Sequence, residues 1–278
     1  MVEPRALTGS TRIAGVIGHP VRHSRSPALV NAAFAAAGLD WAFAAFDVAP
    51  GQGAAAVVAA RTLGLGGLSV TMPHKADVIG PLDACTADAE ALRSVNCIAW
   101  DGDRLVGHST DGPGLVASLR IDHALDPAGR RCAVLGAGGA ARSVVRALAG
   151  AGATEVVVVN RTASSAVEAA ALAGAVGRTG SMADLAGAEL IVNATSVGMG
   201  AADTEGPRPL EPALLRSGQI VVDLVYQPLE TPLLAAARSA GCRAIDGLGM
   251  LVHQAALAVE LWTGVAPDIG AMAAAARA

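Results

Sequence analysis

The segment that most constrains the fold is Cys132-Ala133-Val134-Leu135, an apolar run of strand length that passes directly into Gly136-Ala137-Gly138-Gly139-Ala140-Ala141 and then into a helical stretch over 142–148. A strand that turns into a helix over Gly-x-Gly-x-x-Ala opens a βαβ unit, so a parallel sheet is expected around it. The first glycine allows the tight turn, the second lets backbone approach a pyrophosphate, and the small third position lets helix pack on strand. The helix N-terminus then faces the phosphates with its positive end. Gly136, Ala137, Gly138, Gly139 and Ala140 therefore read as a dinucleotide-binding turn. A plain βα turn is the other reading.

The end of the next strand selects the cofactor. An NAD site carries an acid about 20 residues past the first glycine, where it accepts from the ribose 2′-hydroxyl. This chain has Asn160-Arg161-Thr162 there. A carboxylate would repel a 2′-phosphate, whereas a guanidinium pairs with it bidentately and stacks on adenine. NADP is expected, against the alternative of a solvated surface arginine.

The remaining pattern supplies two α/β series. Strand-length apolar runs at 13–17, 41–48 and 68–72 alternate with helical periods at 27–37 and 54–63, giving a βαβαβ opening. A hairpin over 95–100 and 104–107 turns at Asp101-Gly102-Asp103. Strands at 132–135, 155–159, 189–193, 219–225 and 243–245 form the second series, after a linking helix at 112–119 and a turn at Asp126-Pro127-Ala128-Gly129. The apolar stretch 250–263 is expected to dock as a helix, with the first domain as its natural partner. Residues 273–276 read as an alanine-biased helix end.

Chain length of 278 residues allows two modest cores, and the 53% hydrophobic content is mostly alanine and valine, which suits layered α/β packing. The expected organisation is a substrate domain over 1–111, completed by 248–278, and a Rossmann-like dinucleotide domain over 112–247.

Composition also excludes function classes. Net charge is -4 and the arginines are scattered, so no nucleic-acid partner is expected. No leader pattern or membrane-length apolar run is present, so a cytoplasmic protein is expected. Cys85, Cys97, Cys132 and Cys242 form no Cys-x-x-Cys pair and read as buried small hydrophobes. His19, His23, His74, His108, His123 and His253 lack metal-ligand spacing and read as surface or loop histidines, so no metal is expected.

Of the 20 lysines and arginines, only Lys75 is a lysine. It lies in Thr71-Met72-Pro73-His74-Lys75 at a strand end, the edge that faces the ligand crevice in open α/β sheets. A lone lysine among arginines points to proton exchange, which arginine cannot perform. Asp111, at the domain junction where a cleft is expected, is its candidate partner, an N-cap aspartate being the alternative. Ser24-Arg25-Ser26-Pro27 ends a loop and starts a helix, with Ser26 as N-cap and Pro27 at the first helical position. Its two hydroxyls at a positive helix end suit a carboxylate, although capping alone also explains Ser26. Tyr226, the only tyrosine, follows a strand end and either lines the same cleft or simply packs.

Together these segments resemble the shikimate dehydrogenase family from about Gly15 to Gly264. The motifs are Gly15-Val16-Ile17-Gly18, His23-Ser24-Arg25-Ser26-Pro27, Val70-Thr71-Met72-Pro73-His74-Lys75, Val95-Asn96 and Thr110-Asp111 in the first domain. The glycine turn, Asn160-Arg161-Thr162, Asn193-Ala194-Thr195-Ser196-Val197-Gly198-Met199 and Gly249-Met250-Leu251-Val252-His253-Gln254 follow. The resemblance implies an NADP-dependent oxidoreductase that reversibly reduces 3-dehydroshikimate to shikimate, a step of chorismate and aromatic amino acid biosynthesis. It implies that Ser24 and Ser26 hold the substrate carboxylate, that Thr71, Asn96, Asp111 and Gln254 hold ring hydroxyls, and that Lys75 holds the reacting oxygen. Thr195 and Gly247 would meet the cofactor, with Gly247 at the nicotinamide. Four positions depart from the family pattern: Ser109 in place of asparagine, Val30 of histidine, Val259 of phenylalanine, and Ser165 of a second basic residue. The alternatives are a quinate or aminoshikimate dehydrogenase using NAD, and a non-catalytic cofactor-binding regulator. A monomer or homodimer is expected.

Overall fold

The computed structural model describes residues 6–200 and 203–278. Its contacts divide the chain into two compact units, one formed by the chain up to Thr110 with Ala255–Ala278 and the other by Asp111–Gln254.

In the first unit, β1 (Arg12–Gly18), α1 (Ser26–Ala36), β2 (Trp41–Asp47), α2 (Gly53–Leu63) and β3 (Gly67–Val70) form the expected βαβαβ opening. The strands pair in parallel, with β1 between the other two. Short β4 (Ala84–Cys85) and α3 (Ala87–Leu92) precede the hairpin β5 (Cys97–Asp101) and β6 (Arg104–His108), and the six-stranded order is β2-β1-β3-β5-β6-β4. Gly102 takes φ 62° in the hairpin turn, a left-handed conformation that glycine adopts without a Cβ penalty. Ile17, Leu68, Val70, Ile98 and Leu105 from the sheet bury against Val57 and Ala60 of α2.

The unit is completed from the far end of the sequence. In α8 (Leu248–Thr263), the Trp262 indole N–H donates to the Ile98 carbonyl at 2.9 Å, and its ring stacks on Phe43 with centroids 5.7 Å apart. Residues 273–276 belong to a longer packed helix, α9 (Ile269–Arg277), where Met272 and Ala276 are buried. The Arg25 guanidinium donates to the Ala276 carbonyl. The alanine-biased helix end expected at 273–276 is thus the end of α9, whose start at Ile269 the alanine run leaves without a polar face to mark its period.

The second unit opens with α4 (Asp111–His123), which is longer than the linking helix read from sequence. There follow β7 (Arg131–Leu135), α5 (Gly139–Gly150), β8 (Glu155–Val159), α6 (Ala163–Ala171), β9 (Gly177–Thr179), β10 (Leu190–Asn193), β11 (Ile220–Asp223), α7 (Pro232–Ser239) and β12 (Arg243–Ile245). All pairings are parallel, in the order β12-β11-β10-β7-β8-β9. Period-two alternation splits the sheet between two layers. Cys132 and Val134 face one apolar cluster with α4, α5 and α6, while Ala133 and Leu135 face the other with α7.

Candidate active site

A parallel sheet brings the carboxyl ends of its strands to one edge, and the chain reverses direction of travel where β10 lies on one side of β7 and β8 on the other. That switch point is where open α/β sheets bind ligands. The glycine turn sits there, with Gly136 at φ 107°. A Cβ on Gly136 would also stand 3.1 Å from the Ala194 carbonyl and 3.2 Å from the Thr195 methyl. Gly138 caps α5 with φ -75° and ψ -176°, and a Cβ there would meet nothing within 4 Å, so the space in front of the helix N-terminus is open. Ala141 is buried with 0% exposure against the strand. These residues fit a bound pyrophosphate as the sequence motif requires.

At the end of β8, the Asn160 amide donates to the Thr162 carbonyl at 3.1 Å and fixes the turn. Arg161 is exposed and makes no ion pair or side-chain hydrogen bond among the described residues, leaving its guanidinium open to an external anion. Ser165 lies half-buried in the first turn of α6.

The neighbouring strand ends carry a polar cluster that sequence reading did not assign. Asn193 and Asp223, the last residues of β10 and β11, are register partners, each with 0% exposure. Asp223 accepts from the Asn193 amide at 2.8 Å, the Val225 N–H at 3.1 Å and the Thr231 hydroxyl at 2.6 Å. Burial pushes its carboxyl above the ordinary carboxylate range, against the pull of these three donors. The Asn193 oxygen accepts from the Thr195 hydroxyl at 2.7 Å and the Thr195 N–H at 3.1 Å. Beyond β12, a Cβ on Gly247 would lie 2.5 Å from the Leu224 carbonyl oxygen and 2.9 Å from that of Asp223. The only legible signal was an acid ending the apolar run Ile220-Val221-Val222.

The first unit also gathers its candidates at one sheet edge. Thr71 follows β3 and donates its N–H to Ile17 at 2.9 Å, while Asn96 enters the antiparallel β5 and accepts at its carbonyl from Val70 at 2.8 Å. Lys75 is half-buried, and its carbonyl accepts from the Val95 N–H at 2.8 Å. The Asn96 side chain, 4% exposed, accepts from the Thr110 N–H at 2.6 Å and donates to the Thr110 hydroxyl at 2.8 Å. Thr110 thereby has a fixed place at the end of β6.

Asp111 and Gln254 fall just inside the second unit. Asp111 is the first residue of α4 and 8% exposed. The Gln254 amide donates to Leu251 at 2.8 Å, and a Cβ on Gly114 would press to 2.6 Å from the Gln254 nitrogen. Tyr226 lies half-buried in the loop after β11.

Three expectations are corrected. Ser26 is the first residue of α1 and not its cap: Arg25 holds the cap position, and the Ser24 hydroxyl accepts the Ser26 N–H at 3.2 Å. A hydroxyl two residues upstream closes that turn locally, and α1 begins without a side-chain hydrogen bond from its cap residue. His253 is buried in α8 and is neither a surface nor a loop histidine, whereas His74 is a loop histidine whose ring is buried. The His74 Nε2 lies 2.8 Å from the Val48 carbonyl, and the His253 Nε2 lies 3.0 Å from Asp122. Cys85 is half-buried, because the two-residue β4 lies at the sheet edge, whereas Cys97, Cys132 and Cys242 are buried. Among the described residues, no histidine, cysteine, aspartate or glutamate cluster could hold a metal ion.

With this geometry in place, comparison with known proteins is specific. Residues 16–98 match a family described as the shikimate dehydrogenase substrate binding domain. Residues 120–203 match shikimate / quinate 5-dehydrogenase, and 247–277 the shikimate 5'-dehydrogenase C-terminal domain. The chain is 44% identical to a shikimate dehydrogenase (NADP(+)) of Geobacter metallireducens over 96% of both chains. It is 45% identical to one of Moorella thermoacetica, covering 98% of this chain and 94% of the relative. Its fold superposes on the shikimate 5-dehydrogenase of Thermus thermophilus in complex with NADP(H) and shikimate with a TM-score of 0.89, at 36% identity, covering 96% of this chain and 98% of that one.

Proposed function

Because this chain belongs to the shikimate dehydrogenase family, we propose that it catalyses the reversible NADPH-dependent reduction of 3-dehydroshikimate to shikimate. The observation that carries the reading is the pairing of an open glycine turn, at the sheet's switch point, with an unpaired Arg161 at the end of β8. Gly136 to Ala140 hold the pyrophosphate, Asn160, Arg161 and Thr162 the 2′-phosphate, and Thr195 and Gly247 the nicotinamide end.

When bound at these residues, NADPH would supply the hydride that the ketone carbon accepts. Lys75 then gives its proton to the carbonyl oxygen as charge develops there, and takes it back in the reverse direction, with Asp111 setting the orientation of the ammonium. Ser24 and Ser26 receive the substrate carboxylate at the start of α1, where backbone N–H groups add a positive end. Thr71, Asn96, Asp111 and Gln254 fix the ring hydroxyls, with Tyr226 as a further substrate contact, so that one ketone carbon faces the cofactor. The Asn96–Thr110 bonds support this reading, since they hold Asn96 in one rotamer.

An NAD-dependent quinate or aminoshikimate enzyme is not favoured: the two curated relatives are NADP(+) enzymes, and no acid stands at the end of β8. A non-catalytic regulator is not favoured either, since Lys75, Asp111, Asn96 and Gln254 are all present. The reading includes a cytoplasmic monomer or homodimer without a nucleic-acid partner. Among the described residues, no helix is long and apolar enough to cross a membrane.

The test is Lys75→Met. Loss of a general acid removes about 10²–10⁴ in rate. The expected result is a fall of that size in kcat with NADPH affinity unchanged, whereas turnover within a few-fold of the parent would remove Lys75 from the mechanism.

A further inference from the structure

Asp223 is a buried carboxylate that the proposed chemistry does not use. It sits at 0% exposure, at the carboxyl end of β11, facing three donors and, among the described residues, no cation. A buried carboxylate is costly unless hydrogen bonds replace its water, and here each replacement bond reaches a different piece of backbone. Val225 belongs to the loop leaving β11, Thr231 caps α7 by accepting from the Leu234 N–H at 3.2 Å, and Asn193 ends β10.

The chain of contacts continues toward the glycine turn. Asn193 uses its amide nitrogen on Asp223 and its oxygen on Thr195, so its orientation is not interchangeable. Thr195 in turn accepts from the Val197 N–H at 3.2 Å and places its methyl 3.2 Å from where a Cβ of Gly136 would be. On the other flank, the Asp223 carbonyl lies against Gly247. The carboxyl ends of β7, β10, β11 and β12 are therefore joined across one edge, with the Asn193–Asp223 pair at the middle of the span.

We infer that Asp223 is a positioning residue for the cofactor site, acting through Asn193 to fix Thr195 against the Gly136 turn. This rests on the reading of Gly136, Thr195 and Gly247 as cofactor contacts. The carboxylate never touches the cofactor; it removes the rotational freedom of Asn193, and thereby fixes the Thr195 hydroxyl and the loop over 194–198.

The test uses the whole chain with Asp223→Asn, Thr195→Val and the two combined, measuring NADPH dissociation by fluorescence titration, KM for shikimate and Tm. Asparagine would turn an N–H₂ toward a donor, so the network has to reorient even though volume is kept. Each single change is expected to weaken NADPH about tenfold with shikimate KM within about twofold, and the double variant is expected to be no weaker than the weaker single, because both act along one route. If Asp223→Asn does not accumulate, Thr231→Val removes the hydroxyl donor with little change in volume and is expected to shift NADPH affinity in the same direction. A lowered Tm with NADPH affinity unchanged would overturn the inference, as would singles whose effects multiply in the double variant. A parent chain that binds no NADPH would overturn the functional reading first, before any variant is compared.

Discussion

Gly138→Ala separates binding from folding at the glycine turn. The backbone there, at φ -75° and ψ -176°, is open to alanine, and the new methyl would meet nothing within 4 Å. Two folding terms oppose each other. Restricting the unfolded chain contributes about 0.4–1 kcal/mol, and alanine is a poorer N-cap than glycine by a similar amount, about 0.5–1 kcal/mol. The net change is within about 1 kcal/mol, or a few degrees in Tm. Binding is different, because phosphate oxygens approach helix N–H groups to about 2.7–3.2 Å, closer than a methyl permits. Displacing the pyrophosphate by about 1 Å loses at least one charge-assisted bond, worth about 1.5–3 kcal/mol, or roughly 10- to 150-fold in affinity. Differential scanning fluorimetry and NADPH titration on the same sample would show Tm retained and affinity lost. Gly136→Ala is the contrasting control: at φ 107° it strains the backbone and should lower both. NADPH affinity within threefold of the parent in folded Gly138→Ala would refute the placement of the pyrophosphate.

Arg161→Gln should raise the KM for NADP by roughly 10- to 150-fold, the worth of a charge-assisted phosphate contact, while the KM for NAD moves less than threefold; equal effects on both cofactors would place Arg161 elsewhere. Burial holds His108 and His123 below the ordinary histidine range, so the unfolded chain takes up protons that the folded chain refuses. Stability should therefore fall as pH drops below about 6.5, seen as a declining Tm with a shallower slope in His108→Gln; an unchanged slope would contradict it. Burial pushes the Cys132 thiol up to about 12, so with a disulfide reagent it should react only after unfolding, behind the half-buried Cys85; native-state labelling of Cys132 would show the core there to be open.

How much was legible follows from element length and from what a side chain faces. The βαβαβ opening and β7, β8, β10, β11 and β12 of the second sheet carry apolar residues that made each readable from sequence. β4 and α3 span two and six residues, too few to display a period, and β9, as short as β12 but reading Gly177-Arg178-Thr179, has no apolar side chain to mark it; all three were missed. Lys75 could be singled out because it is the sole lysine, and Arg161 because of its offset from the turn. His74 could not be placed, since nothing in Pro73-His74-Lys75 says that its ring is enclosed beside Gly53. The Asn193–Asp223 pair was hidden for another reason: its partners come from strands 30 residues apart in sequence, and only the β10–β11 register brings them together.

The central claim is tested most directly by initial rates of cofactor reduction with shikimate and with quinate, each against NADP and NAD. The account predicts that shikimate with NADP gives the highest kcat/KM; quinate with NAD in first place would contradict it.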